Sequence, residues 1–344
     1  MNNKIIFLSI DRLGDYLIRS NVINKISKNY KSIEIITSDK NFKLANSQSF
    51  FNKVYLFNTK NKFYEKLRFI KYFLFSKYTS IIVFDGKNIS NILLFLINAD
   101  FKFTFIYKKK GFLNFIYLII FSKIYKLLNI KYEILLSKNL INDSNFDNYP
   151  QKYKKLQKYY SSIDSNTYYL EKTSIKDYDF LINQFIILHL DEKFIDIKDI
   201  NNNFQKALTE LQKKINKKIF LTSFNNNFKY YNNLFYDKIN FKSLNKDKLI
   251  KSNILIIEDM PLNHLQNLMN NSLLNISCHS GLFVHTSLSL NKDTLDIIHY
   301  SEINWFNTWI DDKKKYKQIF KSKNEHTHSI NEILNNLYEE FKKI

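Results

Sequence analysis

The chain has 344 residues, 45% of them hydrophobic, enough for two cores in domains of about 150 residues each. Its formal charge of +20 comes from lysine spread along the whole chain, and Arg12, Arg19 and Arg68 are its only arginines. A diffuse lysine excess without the guanidinium fork argues against nucleic acid as a partner.

Cys278 is the single cysteine, which rules out an intramolecular disulfide and fits a reducing compartment. The apolar run after Lys4 is short and is interrupted by Asp11, Arg12 and Asp15, unlike a secretory signal. No stretch reaches the roughly 20 apolar residues of a membrane helix. The expected location is cytoplasmic.

The first half alternates two kinds of signal. A strand at 4–10 leads to a helix at 15–29, strands follow at 32–37 and 53–57, and a lysine-rich amphipathic helix at 62–77 precedes a continuous apolar run at 80–86. Such runs between helices imply parallel strands joined by right-handed crossovers. Phe112-Leu113-Asn114-Phe115-Ile116-Tyr117-Leu118-Ile119-Ile120-Phe121, flanked by Lys108, Lys109, Lys110, Lys123 and Lys126, reads either as a helix lying in a membrane interface or as a buried helix of the first domain.

The pattern lapses over 139–175, where Asn142 to Pro150 and Ser161 to Asn166 are polar and turn-rich. It restarts with strands at 185–190, 218–222, 253–257 and 273–278, a helix at 201–216 and another that Pro261 opens as a first-turn proline. Ser329-Ile330-Asn331-Glu332 is a capping box for a last helix with Ile330, Ile333, Leu334, Leu337, Tyr338 and Phe341 on its apolar face. The domains are placed at 1–160 and 161–328, with a helix at 329–344 turning back toward the first.

The chain contains four glycines, and Gly14 and Gly281 both stand where a strand is expected to run into a helix. A glycine turn there presents backbone N–H groups and a positive helix end to an anionic ligand. Two such places suggest two α/β domains facing one cleft.

Asp15, at a helix start, is placed to stay ionised and accept a proton from a hydroxyl, although an aspartate in a first turn is also an ordinary helix stabiliser. His279, Ser280, Gly281 and His285 form a pyrophosphate cradle, core groups or, less naturally, metal ligands. His189-Leu190-Asp191-Glu192-Lys193 is polar at a strand's carboxyl end, where open α/β sheets bind ligands. Asp177-Tyr178-Asp179 has a spacing used by metal-dependent nucleotide-sugar enzymes but falls before the first strand of its domain, and reads as a solvated helix. Neither a P-loop nor a GxGxxG sequence occurs.

Lys4 to Leu8 followed by Arg12-Leu13-Gly14-Asp15 resembles the opening strand and R-x-G-D turn of the heptosyltransferase-like enzymes of glycosyltransferase family 9. Asp191-Glu192-Lys193 resembles the family's donor-phosphate segment, and Glu258-Asp259-Met260-Pro261 occupies the place of the loop that contacts the donor's base and ribose. Ser280-Gly281 with His285 resembles the D-S-G-x-x-H signature. His279 replaces that signature's aspartate, one extra residue precedes His285, and Thr294 to His299 stands where the family has a proline-bearing stretch.

The resemblance implies an α/β protein of GT-B architecture, two Rossmann-like doubly wound domains facing a central cleft. It implies inverting transfer of a heptose or another hexose-like sugar from a nucleoside-diphosphate sugar, the co-substrate, to a hydroxyl of a cell-surface glycan or lipopolysaccharide-type acceptor. No metal or other cofactor is expected. Asp15 would be the general base, and Lys193, Glu258, Met260, His279, Ser280, Gly281 and His285 the donor contacts, with Arg12 and Gly14 on the acceptor side. A glycolipid acceptor would bring the protein to the inner membrane surface. Two other readings stand beside this one, a catalytically degenerate nucleotide-sugar-binding protein and a basic peripheral membrane-binding protein.

Overall fold

The computed structural model describes residues 3–10, 13–58, 63–136, 153–160, 178–224, 228–307, 310, 315–323 and 326–344. The polar stretches around 142–150 and 161–166, together with Asp11, Arg12 and Asp177, lie outside them. The chain divides into two compact units, Met1–Tyr169 with Asn307–Asp311 and Leu170–Phe306 with Asp312–Ile344.

The first unit is built on six parallel strands in the order β3-β2-β1-β4-β5-β6, namely β1 (Lys4–Ser9), β2 (Ser32–Ser38), β3 (Lys53–Phe57), β4 (Lys77–Val83), β5 (Asn98–Lys108) and β6 (Lys131–Leu136). Helices Leu13–Ser27, Phe63–Leu74, Asn88–Leu96 and Phe112–Leu127 supply crossovers. The apolar run of β1 is buried on both faces, which is why it sits inside the sheet between β2 and β4. Its order reverses between β1 and β4, so the crevice beyond their carboxyl ends is the place where such a sheet takes a ligand.

One buried charge is fully answered. Glu34 on β2 accepts from Tyr78 at 2.7 Å and Tyr55 at 3.2 Å and pairs with Lys4 at 2.9 Å. The helix Phe112–Leu127 lays one face on the core of the first unit and leaves the other exposed. Leu118, Phe121 and Tyr125 pack on the core, while Phe112, Leu113, Phe115, Ile119, Ile120 and Leu127 are exposed.

The second unit has eight strands in the order β14-β13-β12-β11-β7-β8-β10-β9. They are β7 (Phe185–Leu190), β8 (Lys218–Ser223), β9 (Lys238–Asn240), β10 (Ile254–Glu258), β11 (Leu274–Ser277), β12 (Thr294–His299), β13 (Tyr316–Lys323) and β14 (His326–Thr327). All pair in parallel except β13 with β14. The reversal here falls between β7 and β11. The terminal helix Ile330–Phe341 carries the expected capping box and its Ile330, Ile333, Leu334 and Leu337 are built into this unit's core beside Phe204, Leu208 and Leu211 of the helix Ile200–Ile215.

The turns show what replaces glycine. Asn129 and Asn291 follow helices in the left-handed region, at φ of 52° and 56°, and the next residue reaches back to close the helix end, Ile130 to the Tyr125 carbonyl and Lys292 to that of Ser287. Gly14 and Gly281, by contrast, lie in the first turns of helices Leu13–Ser27 and Gly281–Ser289.

Candidate functional site

Past the end of β7, the Asp191 side chain caps a short 3-10 turn, Glu192–Asp196, by accepting the Lys193 N–H at 3.0 Å. The Lys193 ammonium donates to the carbonyl of His279, tying the loop after β7 to the loop after β11. Lys321, almost wholly buried on β13, supports the turn by donating to the Lys193 carbonyl at 2.7 Å, beside Asp196. Burial pushes the Asp191 carboxyl up to about 6, with Lys193 pulling the other way, and pushes the Cys278 thiol up to about 12. Cys278 is thus an inert core group donating to the Lys193 carbonyl at 3.3 Å.

After β11 the chain turns sharply at His279, and the left-handed residue is this histidine, at φ 50°, where the sequence points to Gly281. Asp296 on β12 stabilises it, accepting the His279 N–H at 2.8 Å and facing its ring Nδ1 at 2.6 Å, while Tyr316 donates to the same carboxylate at 2.8 Å. The ring of His279 stacks on Phe306. Ser280 then caps the helix Gly281–Ser289 without a side-chain bond, so the amides of its first turn and the dipole end there are available to an anion.

His285 and His189 are a different kind of histidine. His285 is 3% exposed and burial pushes it down to about 3; His189, stacked on Phe283 and 3.0 Å from the Thr222 hydroxyl, goes down to about 4. The structure therefore places His285 in the interior as a neutral imidazole.

At the end of β10, Tyr231 donates to Glu258 and Asp259 turns left-handed at φ 55°, while the Met260 side chain packs in the core. Pro261 caps the helix Leu262–Asn271 rather than occupying its first turn.

In the first unit, Asp15 is half-buried in the first turn of Leu13–Ser27. Around the β1–β4 reversal stand groups that the sequence did not single out as a site. Asp85 accepts the Ile10 N–H at 2.6 Å and the Lys87 N–H at 2.9 Å, and Lys87 donates to the Ile10 carbonyl. Desolvation lowers the Lys87 ammonium from its ordinary value, with Asp85 and Asp15 raising it. Buried Arg19 reaches the Ser9 hydroxyl at 3.4 Å. The signal for Asp85 and Lys87 was their position directly after a buried apolar run.

No protein-family model matches the chain, and no curated protein matches it by sequence. Solved structures do. A family 9 glycosyltransferase from Veillonella parvula aligns at a TM-score of 0.68 with 11% identity, over 99% of this chain and 96% of its own. ADP-heptose lps heptosyltransferase II of E. coli aligns at 0.64 with 12% identity, over 99% and 98%. E. coli heptosyltransferase WaaC, solved with ADP-2-deoxy-2-fluoro heptose, aligns at 0.63 with 9% identity, over 99% of each chain. This chain has the GT-B glycosyltransferase fold. Within that fold, Lys193 and Gly281 stand at the sheet reversal of the second Rossmann-like unit, and Asp15 at the carboxyl end of β1 in the first.

Proposed function

We propose that this chain is a glycosyltransferase that moves a heptose or another hexose-like sugar from a nucleoside-diphosphate donor to a hydroxyl of a cell-surface glycan or lipopolysaccharide-type acceptor. The observation that carries the reading is the tie between Lys193 and the His279 carbonyl. It gathers an ammonium and the first-turn amides of Gly281–Ser289 at one sheet reversal, a combination suited to diphosphate. The fold likeness supports it, since WaaC has been solved with ADP and with a fluorinated ADP-heptose.

In the proposed reaction Asp15 takes the proton of the acceptor hydroxyl as its oxygen bonds to the anomeric carbon. The bond from that carbon to the diphosphate breaks with inversion, and Lys193 with the amides near Gly281 neutralises charge growing on the leaving group. No metal is assigned to this step. His279 in the signature aspartate's place favours a degenerate binding protein as the second reading, but Asp296 returns a carboxylate to that turn from the next strand.

The membrane surface belongs to the same proposal. No helix among the described residues is long and apolar enough to cross a membrane. Phe112 and Leu113 are nevertheless 75% and 80% exposed next to Lys108, Lys109 and Lys110, a combination suited to an anionic lipid interface and hence to a glycolipid acceptor.

Calorimetry against ADP, UDP, GDP and CMP with their sugar conjugates tests the reading. Saturable binding of one nucleotide, weakened in Lys193→Ala, is expected. Asp15→Asn should then abolish turnover with donor binding nearly intact, and normal turnover in that variant would rule out the assigned base.

A further inference from the structure

We propose that His326, His328 and Glu332 form a binding site for one Zn²⁺-class divalent cation where the last hairpin meets the terminal helix. Their ligand atoms already lie within 4.8 Å of one another, on a segment whose backbone is held at several points. β14 pairs with β13 through Lys323 with His326 and Ser322 with Thr327, and the His328 N–H donates to the Lys321 carbonyl at 2.9 Å. Two residues apart along an extended chain, the two histidines share a face. Ser329 bridges to Lys198, and the Ile330 N–H donates to the Lys198 carbonyl at 3.1 Å.

Glu332 reaches this face because of the capping box. Its Oε2 accepts the Ser329 N–H at 2.6 Å, which folds the side chain back over the helix start and leaves it 3.6 Å from His328 Nδ1. The capping bonds and the approach to His328 both fall on Oε2, so with the ion bound the carboxylate would turn about its last bond to give one oxygen to the metal while the other keeps the helix start capped. Small side-chain rotations would bring the three donors to the separation of about 3.3 Å that a tetrahedral ion with bonds near 2.0–2.1 Å requires.

The donor set selects the ion. Two imidazoles with one carboxylate suit Zn²⁺ and its spectroscopic substitute Co²⁺, whereas Mg²⁺ favours an all-oxygen shell. Three protein ligands leave one coordination position to water. The site shares no residue with the donor cluster or with Asp15, so it would act as a clip between β14 and the terminal helix and take no part in sugar transfer.

The test uses the untagged full chain, stripped with chelator and dialysed. Zn²⁺ titration followed by calorimetry should show one equivalent bound, and saturating Zn²⁺ should raise the melting temperature by linkage. His326→Ala and His328→Ala should each weaken binding at least about tenfold and remove the thermal shift, while Glu332→Gln, which keeps a cap acceptor, should weaken it less. His326 is exposed, so its variant is expected to keep the fold, as circular dichroism will show. Co²⁺ should give the visible absorption of a tetrahedral complex, lost in His326→Ala. Absence of stoichiometric binding, unchanged affinity in the double histidine variant, or equal competition by Mg²⁺ would each overturn the proposal.

Discussion

Asp296 holds His279 at both ends, one carboxylate oxygen 2.8 Å from the backbone nitrogen and the other 2.6 Å from the ring Nδ1. Asp296 is completely buried, so the pair fixes a left-handed residue at the mouth of the helix Gly281–Ser289 by bonds that water cannot replace. Asp296→Asn keeps the shape and loses one acceptor. Leaving a buried donor unanswered costs about 1–3 kcal/mol. The melting temperature should fall, and donor-nucleotide affinity should drop about tenfold or more by calorimetry; an unchanged affinity would show that the turn is set without the carboxylate.

Lys321 acts through Lys193. Lys321→Met fills similar space but withdraws the donor that holds the Lys193 carbonyl at 2.7 Å. The Lys193 turn should loosen, raising the donor dissociation constant several-fold, roughly 1 kcal/mol. Titration of the same nucleotide into the variant and the parent measures it.

Gly86 tolerates no side chain. It sits at φ +60°, and an added Cβ would lie 2.6 Å from the Phe105 carbonyl oxygen. The left-handed conformation alone costs an L residue about 1–2 kcal/mol, and the clash adds to it by moving backbone of β5. Gly86→Ala should therefore lower thermal stability by more than that amount and displace Asp85 and Lys87 beside it. Chemical denaturation of the parent and variant would measure the loss.

Stability should depend on pH through two buried histidines and one partly buried carboxyl with opposing signs. His189 and His285, lowered from 6.5 to about 4 and about 3, are neutral in the fold and protonate on unfolding, so their contribution is present above 6.5 and is lost as pH falls below it. Asp191, raised from 3.8 to about 6, works the other way: its contribution is full below 3.8 and is lost as pH rises through 6. One proton per pH unit is worth about 1.4 kcal/mol. Between pH 6 and 4 the aspartate offsets one of the two histidines, so Asp191→Asn should steepen the acid loss of stability in that window. Denaturant midpoints taken across it will show the difference.

The parallel strands with apolar runs of four residues, Phe185 to Leu188 in β7 and Ile254 to Ile257 in β10, were legible because burial on both faces leaves no polar alternation. β4 was read as 80–86 and lies at Lys77–Val83. Its polar start hides Tyr78, whose hydroxyl serves Glu34, and its apparent end is the loop bearing Asp85. β5, β6 and β13 were missed because charged or amide side chains interrupt them, Asp100 and Lys102 in β5, Glu133 in β6, and Lys317, Gln318 and Lys321 in β13. In the site, the polar cluster Asp191 to Lys193 after β7 and a turn after β11 could be read from local sequence, although that turn falls at His279 and not at Gly281. Asp296, Tyr316 and Lys321 could not, since only the pairing of Ser277 with Asp296 and of Asp296 with Gln318 brings β12 and β13 to the turn.

The left-handed asparagines that end helices in this molecule show how little its fold depends on glycine. Asn129, Asn216 and Asn291 perform a backbone task usually given to glycine, in a chain with 4 glycines and 2 prolines. Where a second side chain can adopt the same dihedral angles, the residue at a turn can differ while the path of the chain stays the same. The GT-B path, shared with the solved glycosyltransferase structures at identities of 9–12% over 99% of this chain, thus does not require glycine at these turns.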